Sequence, residues 1–171
     1  DASEISLLDP DNADNMDRWA PDVRAMLLQS EASRKFNWSV VNHSGIAKIS
    51  LTWDGVNFCE LMGPTSHTLD AQLPLVRNYI DQRPDRSAEI QGQLGSISDF
   101  FAIIPGLTMA RNKYQSELLQ VTQMIAGMAA MMPKHVIACR RPDEFDPRIN
   151  ALIPTPGHGS LPSAHAAQAF A

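Results

Sequence analysis

Two cations and an imidazole near the C-terminal end of the chain have the types and spacing to do chemistry. The segment Lys134-His135-Val136-Ile137-Ala138-Cys139-Arg140-Arg141-Pro142 is followed, twenty positions after Pro142, by Pro162-Ser163-Ala164-His165. Seven residues of α-helix make about two turns, so Lys134 and Arg141 are predicted to project from one helix face roughly 20° apart. Two fixed cations on one face suit an oxyanion. Pro142 is expected to end that helix, and Pro162 with Ser163 to open the next, because proline disfavours a helix interior and serine is a good N-cap. A helix start offers free backbone N–H groups and the positive end of the macrodipole, so both segments call for the same kind of ligand. His165 falls in that first turn, where an imidazole can donate to a bound oxygen or exchange a proton near neutral pH. The plainer reading of Lys134, Arg140 and Arg141 is that they cap a helix C-terminus and meet Asp143 and Glu144. For the first segment alone that reading would win; the second segment at this separation favours a shared anion.

Lys134, six intervening residues, Arg141-Pro142 and then Pro162-Ser163-Ala164-His165 resemble the first two of three signature blocks. These blocks are shared by vanadium-dependent haloperoxidases and the type 2 phosphatidic acid phosphatase superfamily, which includes soluble bacterial acid phosphatases. The resemblance spans residues 134 to 165, and two blocks in order are far more specific than one. The usual Pro-Ser-Gly-His is here Pro-Ser-Ala-His, and Ala164 still supplies a backbone N–H. The third block, Ser-Arg followed by a His five residues later and then an Asp, is absent from residues 1 to 171.

The resemblance implies a mainly α fold, a helical bundle of the haloperoxidase and acid phosphatase type. It assigns Lys134, Arg141, Ser163 and the Ala164 N–H to the equatorial oxygens of a bound vanadate or phosphate, and His165 to acid–base work at the apical position. In a haloperoxidase the cofactor is vanadate, a histidine of the third block ligates it, and hydrogen peroxide bound there oxidises a halide to hypohalous acid. In a phosphatase there is no cofactor; that histidine attacks the phosphate ester and His165 protonates the leaving alcohol. No metal ligand is expected within this chain, and the ligating histidine is expected beyond Ala171. A soluble haloperoxidase-like enzyme is the preferred expectation, because 133 residues precede Lys134, whereas soluble acid phosphatases have little before the first block. Acid phosphatase is the alternative, and a non-catalytic helical interaction domain with a vestigial anion site is a third. Residues Ala166 to Ala171 continue the last helix for about two turns after Ser163, so its apolar face calls for a partner. A further segment of the same enzyme, or an oligomeric partner, is expected to bring the remaining Arg and His, and residues 1 to 171 alone are expected to be inactive.

The other histidines weigh less. His158, in Pro156-Gly157-His158-Gly159, could line the mouth of the site. His135 would point about 100° away from Lys134 and reads as structural, while His43 and His67 stand in polar, turn-rich surroundings.

The rest of the chain must supply the elements that position these groups. Residues 1 to 20 read as an acidic extended arm, and Pro21 to about Ser33 as a short helix. Ile49, Leu51 and Trp53 alternate with polar residues, Asp54-Gly55 intervenes, and Val56 and Phe58 alternate again, which predicts one β-hairpin within residues 45 to 62. Gly63-Pro64-Thr65-Ser66 divides an N-terminal appendage, residues 1 to 63, from a helical bundle, residues 64 to 171. In the bundle, Leu69, Leu73, Val76 and Ile80 mark one helix ending near Arg83-Pro84. Ile90, Leu94, Ile97, Phe101 and Ile104 mark a second ending at Pro105-Gly106. A third, from about Thr108 to Met132, carries Leu118, Val121, Ile125, Met128 and Met132 on one face. Met124, Met128, Met131 and Met132 read as core filling, and Gly127 as a point of close helix approach.

Composition excludes several classes. The net charge is -5, with 14 Lys+Arg against 19 Asp+Glu and no basic cluster interleaved with aromatics, so nucleic acid is not an expected partner. Cys59 and Cys139 are too few and too far apart for a zinc site or a disulfide framework and read as buried thiols. The most apolar stretch, Met124 to Met132, is far shorter than the roughly 20 residues of a transmembrane helix, so no span is predicted. The chain opens at Asp1 without a basic-apolar leader. Localisation is left as soluble, with periplasmic and secreted placements both open.

Overall fold

The computed structural model describes residues 9, 11–95, 97–103, 106–108 and 110–171. The described chain is mainly helical with one three-stranded antiparallel sheet. Its long element is α5, Lys113–Ile137, of 25 residues. Helix α1, Pro21–Lys35, and helix α7, Ala164–Phe170, pack along it. Among the described residues no helix is long and apolar enough to cross a membrane.

The predicted hairpin is present and belongs to a larger meander. Strands β1, Phe36–His43, β2, Ile46–Trp53, and β3, Val56–Met62, lie in the order β1-β2-β3. Asp54 and Gly55 turn with φ of 51° and 81°, as the Asp-Gly signal requires. The earlier turn, at Ser44-Gly45, has the same left-handed geometry with φ of 52° and 79°. Its first residue is a serine, a weaker hairpin signal than Asp or Asn, and β1 is an addition to the expected hairpin. The sheet buries Ile49 and Leu51 of its central strand, and β2 touches α5.

Several helix boundaries differ from expectation. The arm contains a 3-10 turn, Ala13–Met16, because the Asn12 side chain accepts from the Asp14 N–H and caps it. Helix α2, Ser66–Asn78, runs through Pro74, and a 3-10 turn, Ile80–Gln82, joins it to α3, Arg83–Gly92. The second predicted bundle helix is two pieces, α3 and α4, Ser98–Ile103, since the chain turns at Gln93-Leu94-Gly95. Its expected continuation through Ile104 and Pro105 lies outside the described residues. Helix α5 starts five residues later than predicted, at Lys113, and continues through Pro133 to Ile137. On the expected apolar face of α5 Val121 is buried but Leu118 is 65% exposed, and of the methionines expected to fill the core Met124 and Met131 face outward. Helices α2, α3 and α7 have no buried residue, and the buried residues of the described chain lie on α1, α5, the central strand β2 and the segment 139–149.

Charged groups are prominent in the interior. Arg24 of α1 donates from Nε and Nη2 to the two carboxylate oxygens of Glu117 of α5 at 2.9 and 2.7 Å, and both residues are buried. The remaining guanidinium nitrogen donates to the carbonyls of Met16 and Trp19 at 2.8 and 3.0 Å. One side chain therefore ties the N-terminal arm and α1 to α5, across the boundary placed at Gly63. Beyond α6, Pro142–Phe145, buried Asp146 accepts from Arg148 at 2.8 and 2.9 Å and pairs with Arg77 of α2 at 3.4 Å. The Arg148 hydrogen bond holds the Asp146 carboxyl below its ordinary range.

Hydrogen bonding from Arg24, with the Arg24 and Lys113 charges, also holds Glu117 below its usual value against a burial effect that raises it. A depressed carboxyl stabilises the fold above its unfolded pKa of about 4.3 and loses that contribution as pH falls through the folded value. Urea unfolding followed by circular dichroism is expected to show the midpoint falling as pH is lowered through this range. Glu117→Gln should lower the midpoint at neutral pH and flatten that acid dependence. A wild-type midpoint in Glu117→Gln would mean that the pair does not hold α1 in place.

Candidate functional site

Lys134 lies in the last turn of α5 and is buried at 3% exposure. Its ammonium donates to the carbonyls of Gly159 and Ser160 at 2.9 and 3.1 Å, which leaves one of its three N–H groups. Desolvation lowers its pKa, and the positive charge of Arg141 lowers it further. The backbone beyond explains why Arg141 does not share its helix. Ala138 caps α5 in the left-handed region at φ 47°, its N–H bonding the Lys134 carbonyl at 3.0 Å. Arg141 is extended, at φ -77° and ψ 150°, as a residue before proline prefers to be. Pro142 is the first residue of α6, so it starts a helix where it was expected to stop one. The prediction of two cations on one helix face is therefore wrong in its route.

The same side chains nevertheless line one cavity of about 400 Å³, together with Ser163, Ala164, His165 and His158. The second segment is built as its sequence suggested. Ser163 is the N-cap of α7, its Oγ accepting from the Ala166 N–H at 3.2 Å, so its hydroxyl hydrogen is still available to donate. The Ala164 N–H belongs to the first turn and has no acceptor within the helix. His165 is exposed on the cavity wall. At the other end of α7, Ala171 is the C-cap, exposed and not among the residues that line the cavity. Helix α7 ends at Phe170, one residue short of the expected Ala171. The histidine expected beyond Ala171 lies outside the described residues. Arg141 donates from Nε to the His158 carbonyl and from an Nη to the His158 ring, both at 3.1 Å. Its backbone N–H goes to the Glu144 carboxylate at 2.6 Å.

The loop carrying His158 is stapled to the link between the cations. Ser160 donates from its N–H to the Cys139 carbonyl at 2.8 Å and from its hydroxyl to the Arg140 carbonyl at 2.9 Å. Gly159 sits so close that a Cβ there would stand 2.9 Å from the Lys134 carbonyl oxygen and 3.3 Å from that of Cys139. Ser160 and Gly159 are not among the residues that sequence reasoning singles out, although glycines on both sides of His158 are a signal of close backbone approach. Also outside the sequence-based set are Gln93, Gln168 and the apolar residues Ile90, Leu94, Ile153 and Pro156 of the cavity wall. Of the two cysteines, Cys139 is buried in this link and Cys59 is only half-buried.

The electrostatic character of the cavity follows from its lining. Among the described residues it is lined by Lys134, Arg141, two histidines, hydroxyls and amides, and by no carboxylate. Neither cation forms a salt bridge with an Asp or Glu among the described residues; Glu144 pairs instead with Arg140, at 3.9 Å. Burial, and after it the Arg141 charge, lowers the proton affinity of the Lys134 ammonium, and an anion between the two cations would oppose the second effect. Compared with protein-family models, curated proteins and solved structures, the chain matches none.

Gly159→Ala tests the stapled loop. Its methyl group would force the loop off the end of α5, and the expected loss of stability is about 1–3 kcal/mol, as for other overpacked sites. Thermal unfolding measures that loss. An unchanged melting temperature would show that the loop yields freely and does not hold Lys134.

Proposed function

We propose that this chain forms the oxyanion-holding part of a vanadium-dependent haloperoxidase-like enzyme. The observation that carries the reading is the single cavity gathering Lys134, Arg141, the N-cap Ser163, Ala164 and His165, with no carboxylate on its wall among the described residues. The groups left over after internal hydrogen bonding fit vanadate: one Lys134 N–H, the unengaged N–H groups of the Arg141 guanidinium, the Ser163 hydroxyl and the Ala164 N–H. All are donors, as a tetrahedral oxyanion requires. Vanadate, when bound, supplies the Lewis-acidic centre that activates hydrogen peroxide toward a halide.

The chain's own residues have distinct tasks. Lys134 and Arg141 balance the anion's charge from positions already set by the loop, so little rearrangement accompanies binding. Ser163 and the Ala164 N–H orient the anion's oxygens at the helix start. His165 takes up and returns a proton at the exposed face of the cavity. The resemblance places the ligating histidine in the third block, which a further segment of the enzyme would bring. Ile90, Leu94, Ile153 and Pro156 on the same wall favour a second reading, hydrolysis of a phosphate monoester through a phosphohistidine. Such residues offer an apolar surface to the organic part of an ester.

Calorimetric titration of residues 1–171 with orthovanadate and with inorganic phosphate tests the site. Lys134→Gln and Arg141→Gln are each expected to weaken binding by about tenfold or more, the scale of one charge-assisted hydrogen bond. Failure of the unsubstituted chain to bind either anion would overturn the assignment. Bromide-dependent peroxidation, compared with hydrolysis of a generic phosphate ester, then separates the two chemistries once the chain is joined to its natural continuation. Loss of that activity in His165→Ala, with anion binding retained, is expected; full activity in it would remove His165 from the reaction. Substantial turnover by residues 1–171 alone would show that the chemistry is misassigned.

A further inference from the structure

We propose that His158 is a positioning residue, whose neutral ring orients the Arg141 guanidinium toward the bound oxyanion. The proposal rests on the oxyanion reading of the cavity. Arg141 caps a four-residue helix at the end of a short link, and no carboxylate orients its side chain among the described residues. One residue holds it instead, at two points. The His158 carbonyl accepts from Nε and the ring Nδ1 from an Nη, each at 3.1 Å, and two contacts on a planar fork set the plane of the group.

The chemistry of the donor decides the state of the ring. A guanidinium has donors and no acceptor, so Nδ1 must present a lone pair and the ring proton must sit on Nε2. The 3.2 Å approach of Nδ1 to the Gly159 carbonyl is then a contact without a hydrogen between them. A second proton on the ring would remove the acceptor. It would also add a cation facing Lys134 on α5, Arg141 at the start of α6 and His165 on α7, while α3 and the turn after it offer only Ile90, Gln93 and Leu94. His158 is itself exposed in a glycine-flanked loop, so its ring is not there to fill a core.

Sulfate is a suitable probe, being tetrahedral and of constant charge near neutral pH. Titrated into residues 1–171 at mildly alkaline pH, it is expected to bind about tenfold more weakly to H158A than to the unsubstituted chain. In H158N the amide oxygen can stand in for Nδ1, and affinity should recover to within about threefold of the original. On an R141Q background, H158A should add no further loss, since the two residues act as one unit. Three outcomes would overturn the proposal while leaving the oxyanion site intact: original affinity in H158A, no recovery in H158N, or additive losses in the double variant. Absence of sulfate binding by the unsubstituted chain, repeated with orthovanadate, would overturn the site and the proposal together. Circular dichroism of each variant confirms that a loss of binding is not a loss of fold, and should H158A fail to fold, the comparison of H158N with H158Q decides.

Discussion

Helix α5 buries a charge near each of its ends, and each has to be satisfied by chain from elsewhere. Glu117 and Lys134 are 17 residues apart, which is about 25 Å along a helix. The first takes the Arg24 guanidinium, and with it α1 and the N-terminal arm. The second takes two carbonyls from the loop that precedes α7. Among the described residues the buried apolar side chains are few and mostly modest in size, among them Ala25, Ile49, Leu51, Val121 and Ala130. Apolar contact alone would leave many arrangements of similar energy, whereas an unpaired buried charge is strongly penalised, so these two requirements select where the flanking segments go.

How much of this was legible in the sequence depended on whether the deciding signal was local. The Asp54-Gly55 turn and the Ser163 cap were readable because a few adjacent residues determine them. Strand β1 was not, because Ser44-Gly45 is a weaker turn signal and because Trp38, Val40 and Val41 alternate poorly with their neighbours. Both ends of α5 lie further toward the C-terminus than periodicity suggests, and at the later end the reason is a proline inside a helix whose packing tolerates it. Pro133 lies one residue before Lys134 and is fully buried, so tertiary contact outweighs the lost backbone bond.

The candidate site was legible as a set of residues and illegible as a geometry. Lys134 and Arg141 were expected on one helix, whereas a left-handed Ala138 and an extended Arg141 separate them. The pre-proline restriction on Arg141 was in the sequence and would have excluded it from α5. The loop could not have been placed in that way. That Gly159 lies against the Lys134 carbonyl, and that Ser160 bonds the link on its other side, are long-range facts with no periodicity to announce them.

The two loop carbonyls on Lys134 have a consequence for how the cavity would discriminate among anions. They stand in for water at two of the three N–H groups of the ammonium, so that part of its dehydration accompanies folding and not ligand entry. An incoming anion meets a cation that is already dry on two sides. The water that must still be removed is then largely the anion's own, and a weakly hydrated oxyanion would enter more readily than a strongly hydrated one of equal charge and shape. On the proposed oxyanion reading, hydration strength, a property of the guest, would then act as a selectivity filter set by the backbone of residues 159 and 160.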